Sequence, residues 1–181
     1  MTGICQAIEE GLWTNNTLRL GKQDDGALLR PGRVQSAPRT KLDGLVKNEI
    51  EFLERLAFAG LYNEVVEFGT YYFEVAFGDL SLLFDKTIPN LSFLRSSDSL
   101  SGGMQRSYHF IHLAYQEYFA ARYFVRQRKA NKPLQYGKRT PTQLSLPHSS
   151  ISIIYTARYD ILWRFVAGLQ YFFSSVEVYR S

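Results

Sequence analysis

A chain of 181 residues has room for one ordinary domain, or one small domain with flanking pieces, and not for more than two. Hydrophobic residues at 45% and aromatics at 15%, with 13 Phe and 12 Tyr, exclude a wholly disordered chain. A net charge of +4 and a pI near 9.2 permit an anionic partner without requiring one, and the single cysteine, Cys5, excludes an internal disulfide.

The N-terminus lacks the basic region and apolar run of a secretory signal, so a cytoplasmic location is expected. Ile4, Ile8, Leu12 and Trp13 recur at helical spacing and predict a short amphipathic helix over Gly3 to Trp13, weakened by Gly11. From Gln23 to Lys41 the chain carries Gly26, Pro31, Gly32 and Pro38 among scattered charges, and residues 23–47 read as a flexible linker. Asn48 suits an N-cap, with Glu49 and Glu51 in the first turn where the helix dipole favours negative charge. Phe52, Leu53, Leu56, Ala57 and Leu61 then predict a helix from Glu49 to Leu61.

Val65 to Phe77, rich in β-branched and aromatic residues, fits strand or helix. Asp79 to Lys86 reads as helical, ending before Pro89. Leu91 to Arg95 and Ser107 to Ile111 flank a Ser- and Gly-rich loop, Ser96 to Gly103, and predict a two-stranded hairpin. His112 to Gln127 places Leu113, Ala114, Ala120, Ala121, Phe124 and Val125 at three- and four-residue spacing, and Tyr115, Tyr118 and Phe119 widen that surface into a largely buried helix.

The Pro-, Ser- and Thr-rich stretch 131–156 reads as a second linker. A last helix begins near Ala157, with a stripe of Tyr159, Leu162, Trp163, Val166, Leu169 and Phe173 that finds little partner surface in the residues remaining. Its most apolar part, Ile161 to Phe173, is interrupted by Arg164 and falls short of the roughly 20 residues that cross a bilayer. No membrane contact is expected.

Several chemistries lack their residues. Gly21-Lys22 and Gly137-Lys138 have no glycine cradle for phosphates before them and no hydroxyl for a metal after them. Asp85, after Leu82-Leu83-Phe84, belongs to an amphipathic pattern rather than to a metal-binding strand end. His109 and His112 stand three apart without a third ligand, so no metal site is assigned. No Gly-x-Ser-x-Gly elbow occurs, and no catalytic residue is assigned. Gln116 and Glu117 are expected to hydrogen-bond neighbouring backbone or Arg side chains. Trp13 and Trp163 are expected in core or interdomain packing.

Tyr108 to Val125 reads YHFIHLAYQEYFAARYFV and resembles the strand-to-helix segment of the winged-helix domain in NACHT proteins, the NLR-like STAND signalling NTPases of innate immunity, whose pattern is near F-x-H-L-T-F-Q-E-Y-F-A-A. Phe110, His112, Leu113, Gln116, Glu117, Tyr118, Phe119, Ala120 and Ala121 match it, while Ala114 and Tyr115 replace Thr and Phe. Glu9 to Gly21, LERLAFAGL at Leu53 to Leu61 and RYDILWRFVAGL at Arg158 to Leu169 are similar to further blocks of the family, in family order. Thr142 to Thr156 and the ending GLQYFFSSVEVYRS depart from it.

The resemblance implies a mainly α fold, a winged-helix domain of helices plus a small β-hairpin with flanking helices and flexible linkers. Residues 1–22 would close the preceding helical domain, 48–130 form the winged helix, and 157–181 begin a truncated helical domain. The nucleotide-binding core would lie before Met1, leaving this chain without ATPase activity and without a cofactor of its own. ADP or ATP and Mg are expected only in a full-length parent. Partners would be the NACHT core, in cis or trans, and a following helical or repeat sensor domain. The resemblance also implies that His112 reaches the β-phosphate of ADP once that core is present. On the residues alone, His112 reads as a packed or capping side chain at a strand-to-helix junction.

A rival reading rests on charge. Between Glu117 and Asp160 there is no acid, while Arg122, Arg126, Arg128, Lys129, Lys132, Lys138, Arg139 and Arg158 accumulate, so a winged helix using its Arg122 to Arg139 segment would be a DNA-binding module. Nucleic acid is disfavoured because Tyr115, Tyr118, Phe119, Ala120 and Ala121 stand where base-reading polar side chains are wanted. A third class is an interaction module that docks through an exposed apolar C-terminus.

Overall fold

The computed structural model describes residues 2–24, 27–28, 30–77, 87–97, 107–134 and 159–178. Among these, seven helices surround a core that includes one face of a small antiparallel sheet, the mainly α class with a small hairpin that the sequence implies.

Helix α1 spans Thr2–Arg19, six residues beyond the expected end at Trp13. Trp13 is buried with its ring 4.9 Å from that of Phe93, and Thr17 turns its hydroxyl back to the Trp13 carbonyl at 2.7 Å. Gly21, at φ 58°, ends the helix in a left-handed turn that glycine adopts without steric penalty, and Lys22 N–H closes back on Thr17 O.

The segment expected to be a flexible linker is structured. Strands β1 (Gln23–Asp24) and β2 (Ala27–Leu28) pair, and helices α2 (Pro31–Gln35) and α3 (Arg39–Leu45) follow. Pro31 supplies the preset φ of a first helical turn, and Val34, Leu42 and Val46 are buried. Three anchors eight and four positions apart are too few to register as periodicity, yet each buried side chain is worth roughly 1.5–3 kcal/mol.

Helix α4, Lys47–Tyr62, includes the predicted Glu49 to Leu61. Its cap differs from expectation. Val46 occupies the N-cap, because α3 runs almost directly into α4, and Asn48 lies exposed inside the first turn. The carbonyl of Val46 accepts from Ile50 N–H at 2.9 Å. Glu49 is buried and ion-paired with Lys22 Nζ at 2.6 Å, joining the end of α1 to the start of α4.

The ambiguous stretch after α4 is both things in turn. Strand β3, Glu67–Phe68, precedes helix α5, Thr70–Phe77. The expected helix over Asp79 to Lys86 and the loop from Asp98 to Gly103 lie outside the described residues. A short 3-10 turn, Ile88–Asn90, leads to β4, Leu94–Ser97, which pairs with β5, Ser107–Phe110. The hairpin is as expected, with its first strand starting three residues later, and β3 adds a third strand on the far side of β5. Phe68 and Phe110 turn one face of this sheet inward, their rings 5.9 Å apart.

Helix α6, Leu113–Lys129, packs on α4 and carries Tyr118, Phe119, Ala120 and Ala121 at 1% exposure or less. Helix α7, Asp160–Val178, packs on α6. The apolar stripe expected to lack a partner therefore has one: Leu162, Phe165, Val166 and Leu169 are buried, and Trp163 stacks edge-on against Phe124 at 5.3 Å. Trp13 of α1 and Phe165 of α7 share one hydrophobic cluster with α4 and α6. No helix among the described residues is long and apolar enough to cross a membrane.

Candidate functional site

The strand-to-helix junction at His112 is built by two short restraints. Ile111 N–H donates to Phe93 O at 2.9 Å, holding the exit of β5 against the approach to β4. His112 then adopts an extended backbone, φ −153° and ψ 140°, and serves as the N-cap of α6. Its Nδ1 accepts from Ala114 N–H at 3.1 Å, satisfying one of the orphan donors of the first turn.

That bond settles the chemistry of the ring. An accepting Nδ1 carries no proton, so the neutral imidazole has its proton on Nε2, which is a donor. His112 is exposed, and no acidic residue stands in the first turn of this 17-residue helix. An outward N–H donor at a helix N-terminus suits an anionic oxygen such as a phosphate.

Glu117 is buried, and burial pushes its carboxyl above the ordinary value, opposed by the nearby His112. Gln116 behaves as expected: its Nε2 donates to Val65 O at 2.9 Å, tying the chain entering β3 to α6. Leu113, 50% exposed, lies one helical turn before Gln116, and the neighbour of Val65, Val66, is 57% exposed.

The basic segment divides. Arg126 Nε lies 2.7 Å and Arg122 Nε 3.3 Å from the carboxylate of buried Glu54, and Arg126 Nη1 lies 3.3 Å from Glu51. Acids three apart on α4 face arginines four apart on α6, so both guanidiniums serve helix packing. Burial is the largest influence on Glu54 and raises its pKa against the two arginines. Arg128, Lys129 and Lys132 are exposed, whereas Lys138, Arg139 and Arg158 lie outside the described residues. Tyr115, Tyr118, Phe119, Ala120 and Ala121 are buried, which withdraws them from any groove-reading surface.

A second polar group was missed from sequence. The outer face of the sheet aligns Glu67, His109 and Arg95 across its three strands. Ser97 Oγ lies 3.1 Å from His109 Nδ1, and Ser107 Oγ donates to Glu67. The hydrogen bonds from Ser107 and then Ser97 hold the Glu67 carboxyl below its usual range. The order is wrong for a nucleophilic relay, since the acid meets the serines and no bond links it to the free nitrogen of the imidazole that would need orienting. The alternation of Ser107 with His109 and of Arg95 with Ser97 was visible, but β3, which brings Glu67, was not.

Among the described residues no group of three His, Cys, Asp or Glu is placed to hold a metal ion. His109 bonds Ser97 while His112 caps α6, so the two histidines serve different elements. No protein-family model matches the chain, and no curated protein matches it.

Proposed function

We propose that this chain is a non-catalytic regulatory winged helix of a NACHT-type signalling NTPase, which in a full-length cytoplasmic parent folds over bound ADP and holds the inactive state. The observation that supports this reading is the tautomer of His112, whose capping bond leaves Nε2–H as an exposed donor at a helix N-terminus. The partner is the NACHT core, in cis or trans, and a helical or repeat sensor domain follows. A contact made only when the module is closed stabilises that state differentially. One hydrogen bond to a charged group contributes about 1.5–3 kcal/mol, a shift of roughly ten- to a hundredfold in the closed-to-open ratio.

His112→Ala removes both the phosphate donor and the helix cap, so it confounds binding with stability. His112→Ser retains a capping oxygen and deletes the ring. In a parent carrying the nucleotide-binding core, His112→Ser is expected to release ADP at least about tenfold faster with a nearly unchanged melting temperature. Unchanged ADP release by this variant would overturn the assignment. The chain without that core is expected to bind neither ATP nor ADP appreciably, and stoichiometric micromolar binding by calorimetry would contradict it.

A further inference from the structure

His109 and His112 each hold a hydrogen bond at Nδ1, and the two partners differ in kind. At His109 the partner is the Ser97 hydroxyl, 3.1 Å away, which can donate to a neutral ring or accept from a protonated one. At His112 the partner is the backbone N–H of Ala114, also 3.1 Å away, which can only donate. Protonation of the ring therefore leaves the first bond possible and sets two donors against each other in the second. The exposed His112 ring is free to turn away from that clash.

Neighbouring charges do not restore the bond. Glu117, buried in the second turn of α6, attracts a positive His112. The chain entering β3 brings Glu64, the approach to β4 from Leu91 to Phe93 brings no charged residue, and Glu67, Arg95 and His109 belong to the outer face of the sheet. Attraction to a carboxylate acts on the imidazolium at any ring angle, whereas the cap needs the Nδ1 lone pair. The helix dipole further repels a cation from this end of α6. The turn that depends on the cap also carries Tyr115, 5.5 Å from the ring of Phe93, and Gln116, bonded to Val65 O. We infer that His112 is a pH-sensitive helix cap, closing the first turn of α6 while the imidazole is neutral and releasing it when the ring is protonated. The device thus loosens on acidification the turn that fastens α6 to β3 and to the approach to β4. It stands on the capping geometry and not on the phosphate contact proposed above, so either can fail without the other.

NMR of the full chain tests this from about pH 8 to 5, the range in which histidine changes charge. Imidazole nitrogen resonances report the tautomer and protonation of each ring, and magnetisation transfer from water reports exchange of the Ala114 amide. At the upper end His112 should carry its proton on Nε2 alone. As its ring becomes protonated, protection of the Ala114 amide, taken relative to an unstructured peptide at the same pH, should fall by about fivefold, the ratio that corresponds to a cap bond of about 1 kcal/mol. The loss should follow the titration of His112 and not that of His109. In His112→Asn the capping atom is a carbonyl oxygen that does not titrate, so protection should persist across the whole range. A proton on Nδ1 at pH 8, or unchanged Ala114 protection while the His112 ring titrates, overturns the inference on the unsubstituted chain. An equal loss in His112→Asn overturns it as well, since the opening would then have another cause.

Discussion

At Gly60 a Cβ would stand 2.5 Å from Phe68 Cε1 and 2.7 Å from Gln116 Nε2. Phe68 is fully buried and Gln116 is held by Val65, so neither yields cheaply. Gly60→Ala is expected to cost about 1–3 kcal/mol as overpacking, read as a lower urea midpoint, despite alanine's better helix propensity. A stabilised variant would mean that α4 and β3 are less closely apposed than described. Glu117 makes a pH prediction. Burial raises its pKa above the ordinary 4.5, so the folded chain binds this proton more tightly than the unfolded chain does. Its contribution to stability is therefore complete below pH 4.5 and is lost as pH rises through the native value. Glu117→Gln stays neutral, so its urea midpoint should fall less between about pH 4.5 and 7 than that of the unsubstituted chain. Equal slopes would show that Glu117 ionises freely in the fold.

Pairs of elements are joined by charge as well as by apolar contact. Glu54 is 2% exposed and faces Arg122 and Arg126, which also lie over the rings of Tyr118 and Tyr123 at 5.9 and 5.8 Å. Removing one member of a buried ion cluster leaves the others desolvated and unpaired, so Glu54→Ala should destabilise by about 3 kcal/mol in chemical denaturation. That figure is the lower end of the usual range, because Arg126 remains 37% exposed and regains water. A loss below about 0.5 kcal/mol would place the pair among surface ion pairs of little consequence. The helix ends show a second device. Helices α1, α4 and α6 close with left-handed residues Gly21, Glu64 and Asn131, each followed by a bond back to the last turn. Glu64, at φ 61°, pays a steric penalty that glycine and asparagine largely avoid.

Across the described molecule, α1 and α7 converge on the cluster formed by α4, α6 and the inner face of the sheet. Phe165, fully buried, meets Tyr118 at 5.4 Å. Phe165→Ala is expected to cost about 3–5 kcal/mol. Because Trp13 and Trp163 report from opposite ends of the chain, their fluorescence and the far-ultraviolet dichroism should follow one unfolding transition. Separate transitions would mean that the terminal helices unfold on their own.

The helices that the sequence announced are those with many apolar positions in phase. The α6 pattern from Leu113 to Val125 and the α4 pattern from Phe52 to Leu61 repeat often enough to outweigh local ambiguity, and the flanks of a Ser- and Gly-rich loop marked β4 and β5. His112 was legible as a junction residue because it sits between a strand pattern and a helix pattern. Long-range partners were not legible. The pairing of β3 with β5, the burial of Val34 and Leu42 beneath a nominal linker, and the meeting of Glu54 with Arg122 and Arg126 join positions that no periodicity relates. A two-residue strand has no period to display, and an ion pair sixty-eight positions apart exists only once α4 and α6 have packed. Local spacing records which face of a segment is apolar. Which other segment covers that face depends on shape and charge matching that arises only in the assembled core.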